Sequence, residues 1–307
     1  MSDQAVSLDR VTKRFGAIVA VNEVSIDIRR GEMFGLIGPD GAGKTTTIRL
    51  ICGLLRADAG RIAVLGLDPV RQHSAVTRSA GYFSQRFSLY GDLSIDENIA
   101  FFAEIHGLSG YEARRDRLLE MTQLTPFRHR LADRLSGGMK QKLALACTLV
   151  HEPQIILLDE PTTGVDPVSR REFWKLLSEF LAQGITIVMA TPYLDEAERC
   201  SRVALLSGGR LLVVDTPQAL RESLPGVIFE VLARPQSEAI EALRSLPGVA
   251  DIETFGERVH VRCTLSEGDA AAQKVEQRLR ERNIEVTSVR EIPASLEDVF
   301  INRIAAS

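Results

Sequence analysis

Residues Gly38 to Thr45 read GPDGAGKT, which matches the phosphate-binding pattern G-x-x-x-x-G-K-[ST]. An apolar run, Met33 to Ile37, precedes this loop, and a helical pattern over 44–54 follows it. Glycine has no Cβ and tolerates positive φ, so such a loop can wrap closely around phosphate oxygens. The N–H groups of residues 42–46 would then converge on a β-phosphate at the positive end of the helix. Strand, loop and helix together predict a nucleotide site in an α/β core.

Two side chains of the loop carry the chemistry that such a site needs. Lys44 adds a full positive charge that can reach the β- and γ-phosphates, and the Thr45 hydroxyl is a typical Mg²⁺ ligand. An ordinary glycine loop with a solvated lysine is the alternative, but the full pattern in this context favours the nucleotide site.

Charge, cysteine content and hydropathy exclude several classes of protein. The 307 residues include 37 basic and 41 acidic side chains, so the basic surplus typical of nucleic-acid binding is missing and no nucleic-acid partner is expected. The four cysteines are scattered without a C-x-x-C pair, which is typical of buried free thiols in a reducing cytosol. We find no secretory leader and no run near the ~18–20 apolar residues that span a bilayer. We therefore expect a soluble chain that docks on a membrane protein at most.

A second candidate site follows the apolar run Ile155 to Leu158, which is too short for a helix. Its continuous apolarity indicates a strand buried on both faces of a parallel sheet, and ligands of such folds bind at the carboxyl ends of strands. The next residues are Asp159, which could hold Mg²⁺ through water, and Glu160, which could polarise an attacking water. A solvated Asp–Glu loop is the alternative. Beside a triphosphate, however, two carboxylates would be repelled unless a cation lay between them.

Three further motifs are ambiguous when each is taken by itself. Phe15 lies at a turn between two alternating strands, where it could simply cover a small antiparallel sheet. Gln85 ends a short apolar stretch and reads as a surface residue. The run Ser136 to Gly138 starts a helix over 140–150, and its hydroxyl and bare N–H groups suit an anion. A plain capped helix explains that run equally well.

The succession of patterns predicts two domains. Residues 1–220 alternate strand and helix, which indicates a mainly parallel sheet, with an antiparallel β layer and a helical insert at about 88–150. Residues 221–307 follow the order β-α-β-β-α-β of a ferredoxin-like unit. That second domain shows no phosphate loop, metal cluster or nucleophile–base pair, so we interpret it as an accessory, regulatory or dimerising domain. A purely structural role stays open.

Taken in order, these motifs resemble the ATP-binding subunit of an ABC transporter. The ordered set is Phe15, the phosphate loop, Gln85, LSGGMKQ at 135–141, LLDEP at 157–161 and Asp166, and it covers about residues 4–220. The tail, PASLEDVFI at 293–301, resembles the extension of drug-resistance and multidrug exporter ATPases. The resemblance implies a phosphate-loop ABC ATPase fold, with a RecA-like core, an antiparallel β layer and a helical insert, followed by a small α+β domain.

The resemblance also implies roles for individual residues. ATP binding is implied for Phe15, which would stack on adenine, and for Gly38, Pro39, Asp40, Gly41, Ala42, Gly43, Lys44, Thr45 and Thr46. Mg²⁺ would be held by Thr45, Gln85 and Asp159, and catalysis would use Gln85 and the general base Glu160. Ser136, Gly137 and Gly138 would contact the γ-phosphate bound by a second cassette, and Asp166 would lie in the dimer loop.

The resemblance implies partners as well. These are a second cassette, expected to be an identical copy, and a transmembrane permease that the helical insert and Gln85 would face. The chain would sit at the cytoplasmic side of the membrane through that permease, with ATP and Mg²⁺ as cofactors. The partner subunits of this family select the transported substrate, so the sequence predicts none.

One position departs from the family pattern. After the strand that ends at Thr191 the family places a switch histidine, whereas this chain has Pro192, which offers no side-chain donor. Met139 replaces the commoner glutamine of the 135–141 motif, a milder change. We expect slow but real hydrolysis, because Glu160 and the Mg²⁺ ligands are present. The alternatives are a soluble ABC ATPase outside transport and a nucleotide-binding regulator with weak catalysis.

Overall fold

A computed structural model describes residues 3–85, 89–264 and 268–305 of the chain. It divides into two compact units, Met1–Pro217 and Gln218–Ser307. The start predicted for the helical insert, near residue 88, lies just outside the described residues. In the described part of the chain, no helix is both long enough and apolar enough to cross a membrane.

The first unit contains two sheets and seven α-helices in its described residues, and an eighth helix begins at its last residue. Its strands are β1 (Gln4–Phe15), β2 (Ile18–Arg29), β3 (Met33–Ile37), β4 (Ala59–Val64), β5 (Ala80–Phe83), β6 (Ile155–Asp159), β7 (Thr186–Thr191), β8 (Arg202–Ser207) and β9 (Arg210–Asp215). Its helices are α1 (Lys44–Ile51), α2 (His73–Ser79), α3 (Ile95–Ile105), α4 (Glu112–Met121), α5 (Gly137–Leu149), α6 (Pro167–Ala182), α7 (Leu194–Ala197) and, at the boundary, α8 (Pro217–Glu222).

A six-stranded sheet forms the centre of this unit, in the order β5-β6-β7-β3-β8-β9. The first five strands are parallel and β9 is antiparallel to β8. Every residue of β3, β6 and β7 is buried, because these strands have neighbours on both edges and lie between packed layers. The mainly parallel sheet predicted from the sequence is confirmed.

A separate antiparallel sheet, β2-β1-β4, forms the second layer. Buried and exposed residues alternate along the second half of β2, and cross-strand pairs such as Leu8 with Ile26 and Val6 with Val64 fix the register. Helix α1 packs between the two sheets, with contacts to β4, β6 and β7. This helix ends at Ile51, three residues earlier than the sequence pattern predicted, because Gly53 adopts a left-handed φ of 72°. The predicted fold class, a phosphate-loop α/β core with an antiparallel layer, is confirmed.

Helices α3, α4 and α5, with 3₁₀ turns at Thr125–Phe127 and Ala132–Arg134, form the predicted helical segment. Ser94 and Glu97 cap the start of α3 reciprocally. The wholly buried Asn98 accepts from the Tyr90 N–H and donates its amide to the carbonyls of Tyr90, Leu93 and Ser94. These bonds fix the loop before α3, since a buried amide must find partners in the fold.

The histidines at the ends of α3 and α5 stack on one another. The rings of His106 and His151 are 3.8 Å apart and 8° from parallel, and Nε2 of His151 lies 3.2 Å from the Ala80 carbonyl oxygen. Burial, and then the charge of His106, lowers the pKa of His151 to about 4, and burial also lowers the pKa of His106. Both imidazoles are therefore neutral at pH 7, where stacking carries no charge repulsion.

This stack predicts an acid-sensitive stability. Between pH 6.5 and 4 the unfolded chain binds a proton at His151 and the folded chain does not, so the free energy of unfolding falls as pH falls. We expect His151→Gln to remove roughly 2 kcal/mol of the stability lost between pH 7 and pH 5, measured by urea unfolding at both values. The exposed His129, changed to glutamine, is the matched control and should keep the full loss. An unaltered pH dependence in His151→Gln would contradict this account.

The second unit is a four-stranded antiparallel sheet with helices. Its strands are β10 (Val227–Arg234), β11 (Val249–Phe255), β12 (Arg258–Cys263) and β13 (Glu285–Ile292), and its helices are α9 (Gln236–Arg244), α10 (Gly268–Glu281) and α11 (Leu296–Ala305). The sheet order β11-β12-β10-β13 is that of a ferredoxin-like fold, so this part of the predicted fold class is confirmed. An apolar core that includes Phe229, Val261 and Val275 lies between the sheet and the helices α9 and α10.

The last helix, α11, was not predicted from the sequence. Ser295 caps it, since its hydroxyl accepts the Asp298 N–H while the Asp298 carboxylate accepts the Ser295 N–H. The same carboxylate reaches Nδ1 of His260 on β12 at 3.2 Å. All four cysteines of the chain are free and buried, as predicted.

Candidate functional site

The carboxyl ends of β3, β6 and β7 bring the predicted loop and the predicted carboxylates to one edge of the sheet. Strand β3 pairs with β7 so that Ile37 faces Thr191, and β6 pairs with β7 so that Asp159 faces Ala190. The loop after β3 therefore lies near the residues that follow β6 and β7. This is the edge at which parallel α/β sheets bind ligands.

Two glycines of the loop are required by close approaches of the backbone. A Cβ on Gly38 would lie 2.2 Å from the carbonyl oxygen of Leu206, and one on Gly43 would lie 2.4 Å from that of Ala20. Gly43 also has a φ of 96°, which side chains rarely adopt. It precedes the first residue of α1, and no described side chain caps that helix. The N–H groups at the start of α1 are therefore available to an anion.

Lys44 folds back into this loop. Its side chain is 4% exposed, and Nζ donates to the carbonyls of Gly38 at 2.8 Å and Pro39 at 3.0 Å. It also lies 3.8 Å from Oε1 of Glu160. A buried ammonium held by neutral carbonyls keeps its charge available to a phosphate that enters the loop.

Thr45 and Asp159 form the centre of the site. The Thr45 hydroxyl donates to Oδ1 of Asp159 at 2.8 Å, whereas Oδ2 is buried without a hydrogen-bond partner among the described residues. Burial raises the pKa of Asp159, and the Thr45 hydrogen bond opposes that rise. A hydroxyl beside a carboxylate with one unsatisfied oxygen is a donor set that suits a hard cation such as Mg²⁺. The residues present therefore fit the metal that the resemblance implied.

Glu160 follows in a strained conformation, with a φ of 50°. Its backbone N–H donates to the Ala190 carbonyl at 2.9 Å, and its carboxylate accepts from Nε2 of Gln85 at 2.9 Å and the Thr163 hydroxyl at 3.3 Å. Gln85 thus joins the cluster through this hydrogen bond and is also exposed, as the sequence alone predicted. The described structure links Lys44, Thr45, Gln85, Asp159 and Glu160 by direct contacts.

Three predicted elements do not join this hydrogen-bonded cluster in the described part of the chain. Phe15 ends β1 with 48% of its surface exposed, and Lys13 lies 5.5 Å from its ring. Ser136 caps α5, since its hydroxyl accepts the Met139 N–H at 3.3 Å. Asp166 caps α6 by accepting the N–H groups of Val168 and Ser169. Each is therefore explained locally by exposure or by capping.

Gly138, the second residue of α5, is packed against α6 without spare room. A Cβ on Gly138 would lie 2.1 Å from Oγ and 2.5 Å from Cβ of Ser169, so a change of the serine rotamer would not make space. We expect Gly138→Ala to lower the free energy of unfolding by about 1–3 kcal/mol, the usual effect of overpacking, in a urea titration of the single chain.

Removing the opposing side chain provides the test of that packing. Ser169→Gly keeps the N–H that Asp166 accepts while it removes both clashing atoms. We therefore expect the Gly138→Ala/Ser169→Gly double variant to be more stable than Gly138→Ala. A double variant that is as unstable as the sum of its single changes would show that the clash is not the cause.

Sequence reasoning missed one buried carboxylate at this edge. Glu196, on α7, is 1% exposed and accepts the hydroxyls of Thr162, in a short hydrogen bond, and Thr191, at 2.6 Å. It thus ties the loop after β6 to the end of β7. In the sequence, the surrounding motif Asp-Glu-Ala-Glu looks like an exposed acidic turn. No hydrophobic periodicity in this segment indicates that Glu196 is buried.

Pro192 stands at the position where the family places its switch histidine. Pro192 directly follows Thr191, whose hydroxyl accepts the Tyr193 N–H at 3.1 Å. The ring of Tyr193 lies 4.9 Å from the Arg170 guanidinium. Tyr193, the residue after Pro192, is thus packed on a cation.

Comparisons with known proteins agree with this geometry. A family model described as ABC transporter matches residues 21–163, and one described as ATP-binding protein DrrA1-3-like, C-terminal domain, matches residues 216–304. The chain is 43% identical over 268 residues to the "Probable multidrug ABC transporter ATP-binding protein YbhF" of Escherichia coli (strain K12), covering 85% of this chain and 46% of that protein. It therefore spans about half the length of that relative.

Other relatives match from end to end. The "Daunorubicin resistance ATP-binding protein DrrA3" of Streptomyces coeruleorubidus is 33% identical over 98% of this chain and 96% of its own. The "Nod factor export ATP-binding protein I" of Rhizobium sp. (strain N33) is 38% identical over 98% and 97%. Among solved structures, the ATP-binding subunit of an ABC transporter superposes with a TM-score of 0.65 at 31% identity, covering 71% of this chain and 92% of its own. A dimeric bacterial ABC transporter cassette gives 0.62 at 27% identity, covering 69% and 98%.

Proposed function

Because this chain belongs to the family of ABC transporter ATP-binding proteins, we propose that it is the ATP-hydrolysing energy-coupling subunit of an exporter. It would act as a head-to-tail pair of cassettes, two identical copies, under a separate transmembrane permease at the cytoplasmic side of the membrane. The observation that carries the proposal is the Thr45–Asp159 pair with its unsatisfied carboxylate oxygen, next to a phosphate loop that holds Lys44.

We propose the following roles at the site. The N–H groups from Ala42 to Thr46 and the Lys44 ammonium would bind the β- and γ-phosphates, and the exposed Phe15 would stack on adenine. Thr45, Asp159 and Gln85 would hold Mg²⁺, which when bound neutralises charge on the phosphates. Glu160 would take the proton of the attacking water, since its carboxylate lies beside both Gln85 and Lys44.

The proposed dimer explains the elements that stand apart from the cluster. Ser136 caps α5 through its hydroxyl and leaves the exposed Gly137 at the helix start, a surface that suits the γ-phosphate of a second cassette. Asp166 would lie in the loop between the two copies. The dimeric cassette among the similar structures supports this arrangement.

The two-part division of the chain supports separate roles. Residues 1–220 would be the cassette, and residues 221–307 an accessory or regulatory domain. The relatives whose names mention daunorubicin resistance, Nod factor export and multidrug transport support export as the direction. These names differ in cargo, so the cargo of this chain would be selected by its permease.

Pro192 makes the rate of hydrolysis the decisive measurement. We would measure phosphate release by the purified full chain with ATP and Mg²⁺, with and without EDTA, and its mass by light scattering. We expect slow release that EDTA abolishes, and a mass near twice 33.8 kDa in the presence of ATP. Tight ATP binding without any release, also after addition of the permease, would favour the nucleotide-binding regulator instead.

A further inference from the structure

A cavity of about 380 Å³ lies in the first unit, away from the phosphate loop. It is lined by Gln154 and Thr186, which lie at the amino ends of β6 and β7, and by Arg30, just before β3. The phosphate loop lies at the carboxyl ends of the same strands, so the two sites are at opposite edges of the sheet. The volume is within the range of about 300–1,000 Å³ that is usual for small-molecule pockets.

The floor of this cavity is apolar and comes from two parts of the unit. Leu118 and Met121 are contributed by α4 of the helical segment, whereas Phe180 and Ile185 belong to the core around α6 and β7. A molecule that filled the cavity would therefore contact both parts at once and bury its own apolar surface there.

The rim carries three guanidinium groups and one carboxylate. Arg114 is already neutralised, because its Nε lies 2.8 Å from Oε1 of Glu152. Arg30 and Arg117 donate to neutral amide oxygens, those of Gln154 and Gln183, each at 3.1 Å. Neither has a carboxylate within ion-pair distance among the described residues. Two uncompensated guanidiniums thus stand over an apolar floor.

We propose that this cavity binds a small amphiphilic anion, a carboxylate or phosphate on an apolar body. A guanidinium presents paired N–H donors that match the two oxygens of such a head group, and charge-assisted bonds are stronger than those to neutral amides. The side-chain amides of Gln154 and Gln183 would give up their places to the anion, while the apolar body would cover the floor. A ligand with only the charged group would leave the apolar floor uncovered, and one with only the apolar body would leave both guanidinium groups without an anion.

Calorimetric titration of the full chain with decanoate, without nucleotide, tests this directly. We expect saturable binding of decanoate, and none of acetate, which lacks the body, or of decyltrimethylammonium, which carries the opposite charge. In the Arg30→Gln/Arg117→Gln variant the affinity should fall about tenfold or more, since two charge-assisted contacts are lost. The matched control Arg61→Gln, on the exposed part of β4, should bind like the unaltered chain.

Three further measurements keep the outcome unambiguous. Without ligand, the double variant should have the same melting temperature as the unaltered chain, because the two arginines that it lacks bond only to exposed amides. Decanoate should raise the melting temperature of the unaltered chain more than that of the variant. Sedimentation with phosphatidylglycerol vesicles shows whether the ligand is a membrane lipid or a free molecule. Vesicle binding that the double variant loses identifies a bilayer lipid, and absence of vesicle binding identifies a free amphiphile. Equal decanoate affinity in both proteins, or no saturable heat, would overturn the proposal. Because no nucleotide is present, that failure would leave the proposed ATPase untouched.

Discussion

Glu160→Gln should reduce the rate of ATP hydrolysis by about 10²–10⁴-fold, the usual contribution of a general base. Glutamine keeps the shape of the side chain and can still bond Gln85 and Thr163, but it cannot accept the proton of the attacking water. The change also removes a negative charge 3.8 Å from the Lys44 ammonium, so ATP binding should persist or tighten. Single-turnover phosphate release and equilibrium binding of a fluorescent ATP analogue measure the two effects separately.

Glu179, on the exposed side of α6, provides the matched control. Glu179→Gln makes the same chemical change far from the cluster and should hydrolyse ATP at the unaltered rate. If Glu160→Gln kept its turnover, the general base would have to be another group. If it lost binding as well, Glu160 would be holding the loop together.

Lys44→Ala should weaken ATP binding by roughly 100-fold or more, because the charge-assisted contacts to two phosphates are lost together. The ammonium is buried and bonded to the carbonyls of Gly38 and Pro39, so its position in the loop is set before nucleotide enters. Titration of the ATP analogue, with and without Mg²⁺, measures the loss. Lys175→Ala, on the exposed face of α6, removes an equal charge and should bind ATP normally.

A second substitution separates charge from geometry. Lys44→Arg keeps the charge, but its planar guanidinium is wider than the ammonium that the loop carbonyls enclose. We expect it to bind ATP nearly as poorly as Lys44→Ala. Recovery of full affinity in Lys44→Arg would show that only the charge matters and that the enclosing carbonyls are incidental.

The loop and the carboxylates could be predicted because their residue types answer local physical demands. Gly38 and Gly43 stand where any Cβ would collide with a backbone carbonyl, and the apolar run of β6 places Asp159 at the ligand-binding edge of the sheet. Such local requirements restrict the residue type at each position, so they can be recognised in the sequence. The architecture of the three sheets followed from the same kind of pattern.

Other features depend on contacts between distant segments, which periodicity does not encode. Glu196 carries the same charge as the neighbouring Asp195, but the fold turns Glu196 toward Thr162 and Thr191. The stack of His106 and His151 joins residues 45 positions apart. Helix α11 is different, since the S-x-x-D spacing of Ser295 and Asp298 marks its start in the sequence itself.

The unsatisfied oxygen of Asp159 bears on how the chain withstands unfolding. A buried polar atom without a partner among the described residues lowers stability by about 1–3 kcal/mol, and a bound cation would supply that partner. If Mg²⁺ and ATP bind here as proposed, the loaded chain should unfold more slowly and resist proteases longer than the ligand-free chain.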